Sequence, residues 1–202
     1  METLFEFQKK QVEHDREYHR DIFFLNYQDR FKHMVMHYGK YAGRLAKLLN
    51  TKSDIEKIQS EIKRTLIDCF IIVLSCADLL QLNLEEKLKE KLGIDNSISL
   101  DELANTVKEA SPTLYQSLSS GDETNKVLNL MLEYTAIAGE LLKVGEDLDH
   151  MVGFDRNAIR EQTINILTII LISSLIWKVD LSDETTKRWD VLVKRTVNEG
   201  PQ

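Results

Sequence analysis

Prolines and glycines are scarce in this chain: two and eight in 202 residues. Both interrupt helices, so few breaks are enforced, and the abundance of Leu, Ile, Lys and Glu favours helix over sheet. Cysteine is scarcer than a disulfide scaffold requires. Cys69 and Cys76 stand two turns apart on one predicted helix, where about 10 Å separates the backbones and no disulfide can form. Reduced, buried thiols in a cytoplasmic protein are the expectation. An excess of basic residues is also missing, the net charge being −7. That balance argues against a generic nucleic-acid or anionic-membrane partner but leaves room for a local basic stripe. Apolar runs are too short or too interrupted for a bilayer span, which takes about 20 residues. Ile164 to Trp177 falls short, and Leu66 to Leu82 contains Asp68 and Asp78. The N-terminal stretch METLFEFQKKQVEHDREYHR is charged throughout and does not read as a secretory signal. Buried core helices, with no membrane partner, are predicted instead.

What the chain does have is a repeated pair of apolar runs, Thr65 to Leu84 and Gln162 to Leu181. Asp68 aligns with Asn165 and Leu84 with Leu181, both at an offset of 97, while Ala42-Gly43 aligns with Ala138-Gly139 at 96. Ahead of the first run, Phe31, Met34, Val35, Tyr38, Tyr41, Leu45 and Leu48 form one helical face over Gln28 to Leu49. Ser53 or Asp54 caps a helix to Leu80, and a short helix from Leu84 is stopped by Gly93. Ser99 and Glu102 form a capping box for a helix over 100–110, ended by Ser111-Pro112. Ser119 to Asn125 marks the boundary between halves. Helices follow over 126–148 and 156–177, with a last one reaching about Val197. The expected fold is all-α, with duplicated helical hairpins forming a four-helix-bundle core and short helices around it. Its parts are an N-terminal helical arm (1–27), a first repeat (28–93), a connector with a short helix (94–124) and a second repeat (125–202).

Three segments of the first half, and their second-half counterparts, carry a family likeness. They are Gly43-Arg44-Leu45-Ala46-Lys47, Thr65-Leu66-Ile67-Asp68, and Ala77-Asp78-Leu79-Leu80-Gln81-Leu82-Asn83-Leu84-Glu85-Glu86. The counterparts are Ala138-Gly139-Glu140-Leu141-Leu142, Gln162-Thr163-Ile164-Asn165 and Ser174 to Leu181. In this order they resemble the MazG-like all-α nucleoside-triphosphate pyrophosphatases over about residues 28–92 and 126–195. The resemblance implies four carboxylates on two antiparallel helices holding Mg²⁺, a hard ion that takes oxygen ligands. The ion neutralises phosphate charge and orients a water for attack between the α- and β-phosphates.

The ligand positions depart from that pattern. In the first copy the helix-one acids are Tyr41 and Arg44, beside Lys40 and Lys47, and Thr65 leaves Asp68 alone on helix two. In the second copy Glu140 stands with Ile137, Gln162 and Asn165. Asp68 and Glu140 are therefore the catalytic and metal candidates if the chain is active, with Glu61 and Glu161 as off-register neighbours that could join them. Lys40, Arg44 and Lys47 are the phosphate-binding candidates. They lie on one helix stripe with Asp29, His33 and His37, which reads equally as a solvated face or as a cleft lined by cations where acids once held metal. Asp78 is expected to cap or pair locally, Trp177 and Trp189 to anchor helix ends, and His14, His19 and His150 to be surface residues. The leading expectation is a MazG-like protein with a degraded Mg²⁺ site, binding nucleotide or a protein partner without efficient hydrolysis, as a monomer or homodimer. One alternative is an active pyrophosphohydrolase releasing nucleoside monophosphate and pyrophosphate. Another is a ligand-free structural or adaptor bundle.

Overall fold

The computed structural model describes residues 2–50, 54–93, 98–150, 153 and 155–199. Among them the chain forms ten helices and no strand. They are α1 Leu4–Tyr18, α2 Arg20–Phe23, α3 Tyr27–Leu49, α4 Ile55–Leu79, α5 Leu84–Leu92, α6 Leu100–Ala110, α7 Pro112–Ser119, α8 Glu123–Asp149, α9 Arg156–Ile176 and α10 Leu181–Glu199. The hairpins α3/α4 and α8/α9 pack together, α3 on α8 and α4 on α9, closing a four-helix core. The expected all-α duplicated architecture is what the chain adopts.

The duplication reaches beyond the two hairpins. α1 packs on α4 and α5 as α6 packs on α9 and α10, and α2 joins α1 to α3 as α7 joins α6 to α8. Each half is thus five helices in one arrangement. Local chemistry repeats in register with it. Capping boxes open α1 (Thr3 with Glu6) and α6 (Ser99 with Glu102), and Asn26 and Asp122 cap α3 and α8, at offsets of 96. Beyond α4 and α9 the chain turns on Gln81 (φ 51°) and Lys178 (φ 53°), left-handed positions 97 apart. The following amides, Leu82 and Val179, donate back to Ala77 and Ser174 at 2.9 and 2.8 Å, so both helices end by the same device. The arm read over 1–27 and the connector over 94–124 therefore contain the corresponding opening helices of the two halves.

Burial explains the composition of the two apolar runs. α4 is covered by α3, α9, α1 and α10, and every residue from Thr65 to Ala77 is buried. α9 lies against α4, α8, α6 and α7 and is similarly enclosed from Ile164 to Ser174, apart from Asn165. A helix surrounded on all sides needs no polar face. α9 is long and apolar enough to cross a membrane by length and composition, but 67% of its apolar window is buried inside the bundle. Cys69 and Cys76 are buried free thiols, as expected, and burial pushes both up in pKa, Cys76 to about 11. At the centre Tyr38 and Tyr134, again 96 apart, are both buried, and the Tyr134 hydroxyl donates to the Tyr38 carbonyl at 3.3 Å.

Some local readings differ. Pro112 does not merely end α6: it opens α7, where a missing N–H costs nothing at the first helical turn. The cap offered by Ser53 lies outside the described residues, and Asp54 caps α4 by accepting from the Lys57 amide. Asp78 pairs with Arg30 of α3 at 2.8 Å rather than capping or pairing locally.

The α3–α8 contact is close enough to demand one glycine. A Cβ on Gly145 would lie 2.9 Å from Val35 Cγ2, whereas one on Gly139 would meet nothing within 4 Å. Gly139→Ala should stabilise the chain by up to about 1 kcal/mol through helix propensity. Gly145→Val should destabilise it by about 1–3 kcal/mol through overpacking. Urea denaturation of both variants should move in opposite directions.

Candidate functional site

Between α1, α2, α3, α4 and α10 lies a cleft of about 770 Å³. α3 contributes Arg30, His33, His37, Lys40, Tyr41 and Arg44; α4 contributes Arg64, Asp68, Ile71, Ile72 and Ser75. Arg188 and Arg195 come from α10, Asp15, Glu17 and Tyr18 from the end of α1, and His19 through Phe23 from the joint and α2. Seven cationic side chains face four carboxylates there, an inversion of the balance of an acidic chain. Most of the α3 stripe thus borders a cleft: His33, His37, Lys40 and Arg44 line it. Asp29 instead serves the cap of α3, and Lys47 is exposed outside the lining.

Asp68 is the fixed point of the cleft floor. It is 6% exposed, and both its oxygens are taken: Oδ2 by Arg44 Nη1 at 2.6 Å and Oδ1 by Arg188 Nε at 2.8 Å. The second copy holds a counterpart with altered charge. Asn165 aligns with Asp68, and Lys91 of α5 aligns with Arg188 at the same offset of 97. Lys91 Nζ donates to Asn165 Oδ1 at 2.6 Å and also pairs with Glu161. Glu140 aligns with Arg44 and is exposed. The aligned positions hold Arg, Asp and Arg around Asp68, and Glu, Asn and Lys around Asn165.

This arrangement does not fit Mg²⁺. Asp68 already serves two guanidinium groups, and Glu161 is engaged by Lys91. Among the described residues, no trio of imidazole, thiolate or carboxylate ligand atoms within 4.8 Å includes Asp68, Glu140, Glu61 or Glu161. A hard dication needs several convergent oxygens, and here cations stand in their place.

Electrostatics keep the imidazoles of α3 neutral. His37 is pushed down to about 4, first by burial and then by the charge of Lys40 and the neighbouring His33. His33 is lowered by burial and Lys40 as well. Lys40 Nζ lies 2.7 Å from His37 Nδ1; an ammonium can only donate, so Nδ1 accepts and the ring proton sits on Nε2. Lys40 itself is lowered by burial, then by Arg44.

Sequence reading missed the far wall. His14 is buried rather than superficial, and His19 is half-buried and lines the cleft with Asp15. Trp189, expected at a helix end, stands mid-way along α10: it is buried, and its Nε1 donates to Gln11 Oε1 at 2.7 Å. The spacing His14, Asp15, His19 was visible, but α1's weak apolar periodicity gave no reason to turn that face inward.

Two outcomes follow from these charges. Asp68→Asn makes the first copy match the second but leaves Arg44 and Arg188 facing each other without a counter-charge. It should cost about 3 kcal/mol in urea unfolding, the scale for breaking a largely buried ion pair. His37 binds its proton less readily folded (about 4) than unfolded (ordinarily about 6.5). The unfolded state therefore takes up the extra proton first, and stability falls as pH drops from about 6.5 towards 4. After allowance for solvent screening, His37→Gln should reduce the stability difference between pH 7 and pH 5 by on the order of 1 kcal/mol.

Comparisons with known protein families, with curated proteins and with solved structures find no match.

Proposed function

We propose that this chain is a helical bundle of MazG-like descent that binds the phosphates of a nucleotide in its basic cleft without efficient hydrolysis. The observation that carries this reading is the Arg44–Asp68–Arg188 cluster. Guanidinium groups occupy the neighbourhood where the resemblance calls for metal-binding acids. Their fixed forks suit phosphate oxygens directly. Asp68 acts as a positioning residue: it holds both guanidinium groups, and the cluster retains one net positive charge.

Three further features support the same reading. Lys40, Arg64 and Arg195 ring the cluster and extend the positive field along the cleft. Tyr18 and Phe23 add aromatic surface to the opposite wall, suited to the flat face of a base. The cleft volume, about 770 Å³, lies within the usual range for small-molecule sites. Binding would need no metal, because cationic side chains already neutralise the phosphates.

Thermal denaturation with each nucleoside triphosphate, in chelator, checks this. A ligand that binds should raise the melting temperature with concentration, by the equivalent of about 2.7 kcal/mol at a hundredfold excess over Kd. Lys40→Ala and Arg64→Ala are exposed changes that leave the Asp68 cluster intact. Each should weaken binding about tenfold, the scale of one charge-assisted hydrogen bond. Pyrophosphate release with Mg²⁺ or Mn²⁺ should stay at background. Robust release abolished by Asp68→Ala or Glu140→Ala would overturn the proposal in favour of an active pyrophosphohydrolase. Absence of any ligand-dependent shift would leave a structural bundle.

A further inference from the structure

Where α1 ends, three side chains outside the Asp68 cluster converge. The ligand atoms of His14, Asp15 and His19 all lie within 4.8 Å of one another. We propose that they form a binding site for a divalent first-row transition ion of the zinc class, with at least one coordination position open to the cleft. The site stands independently of the nucleotide reading, since its ligands come from α1 and the α1–α2 joint.

Donor chemistry argues for this class. Two imidazoles and one carboxylate are borderline ligands that suit Zn²⁺ or Fe²⁺ rather than Mg²⁺. Around a tetrahedral zinc with bonds of about 2.0–2.1 Å, donors stand about 3.3 Å apart. His14 Nδ1 and Asp15 Oδ1 are already 3.8 Å apart. Small side-chain rotations bring the set together.

An independent observation points the same way. His14 is 8% exposed, and among the described residues neither of its ring nitrogens has a hydrogen-bond partner. Its ring is held by Tyr18 and His19, each at 5.3 Å between centroids, and stacks on Trp189 at 6.2 Å. Buried polar atoms without partners are rare and destabilising. A metal bond uses the lone pair that nothing else takes.

The carboxylate is oriented as a metal ligand should be. Gln11 Nε2 donates to Asp15 Oδ1 at 2.7 Å and Ser75 Oγ donates to Oδ2 at 2.5 Å. Gln11 is itself fixed by the Trp189 indole. Such supporting hydrogen bonds aim ligands and tune their affinity. Asp15 and His19 line the cleft, which provides the entry path.

The other histidine pair is a poorer candidate. His33 and His37 are 4.7 Å apart between centroids. The Lys40 ammonium, however, already occupies the His37 Nδ1 lone pair at 2.7 Å and repels a second cation.

Titration of the chelator-stripped full chain with Zn²⁺ by calorimetry, and with Co²⁺ by visible absorption, tests the site. Wild type should bind one ion of each, with a d–d band for Co²⁺, and excess Mg²⁺ should not compete. His19→Ala alters a half-buried ring, and its helicity is checked by circular dichroism. It should lose the band and weaken Zn²⁺ by more than the roughly 10–100-fold typical of a supporting residue. Ser75→Ala, which keeps all three ligands, should weaken Zn²⁺ within about that 10–100-fold range. The double change His33→Gln, His37→Gln should leave binding unaltered. No stoichiometric binding by wild type, binding that persists in both His19→Ala and Asp15→Asn, or loss confined to the His33/His37 variant would each overturn the site.

Discussion

Enclosing α4 and α9 is the constraint from which the rest of the structure follows. Each is apolar around most of its circumference, so neither can stand at a surface without exposing a large unfavourable area. They lie against each other, and each also packs on its own hairpin partner, α3 or α8. Their remaining sides are closed by helices from elsewhere in the chain: α1 and α10 on α4, α6 and α7 on α9. α10 belongs to the second half yet packs on α4, and α5 belongs to the first yet packs on α9. This exchange knits the halves into one body. It also carries Arg188 to Asp68 and Lys91 to Asn165. The polar clusters are consequences of how the core is covered.

Asp68 shows what that geometry demands. A carboxylate inside an otherwise apolar face is costly to bury unless its charge is matched. Arg44 reaches it from α3 and Arg188 from α10, so one residue links three helices. The counterpart position carries no charge, being Asn165, and one cation, Lys91, suffices there. Around each position the charges compensate across the halves: two cations where the residue is an acid, one where it is an amide.

Much of the fold was legible because its signals are periodic or punctuated. The offsets of 96 and 97, the Gly93 stop, the Ser99 capping box and the amphipathic face of α3 all survive in a single sequence. The opening helix of the first half was legible as a helical arm but not as the partner of α6. α1 has few apolar positions, and three of its inward residues, Gln11, His14 and Asp15, are polar. Its capping box, Thr3 with Glu6, was nevertheless readable and aligns with that of α6. For the candidate site, Lys40, Arg44 and Asp68 could be named from α3 and α4 alone. Arg188 could not, because it arrives from more than a hundred residues away and no local pattern marks it. Lys47 shares the stripe's spacing, but the cleft lining on α3 ends at Arg44.

Beside the cleft, corresponding helices of the two halves differ in length. α2 has four residues and α7 has eight, and α7 packs on both α8 and α9. α1 runs to Tyr18, but its counterpart α6 ends at Ala110, with Ser111 standing in the place of Asp15. The long α1 and short α2 frame the first-half cleft, while α7 lies across α9 on the corresponding side of the second half. The residues at the aligned positions differ along with the space. His33 and His37 align with Asn129 and Glu133, which accept or donate hydrogen bonds to α7 or its end. In the first half the same positions face an opening. A duplicated bundle has thus kept one set of core contacts twice while using the freed surface of one copy to assemble cations and imidazoles. That division of labour follows from helix length and charge alone, because the buried contacts that specify the fold are shared by both halves.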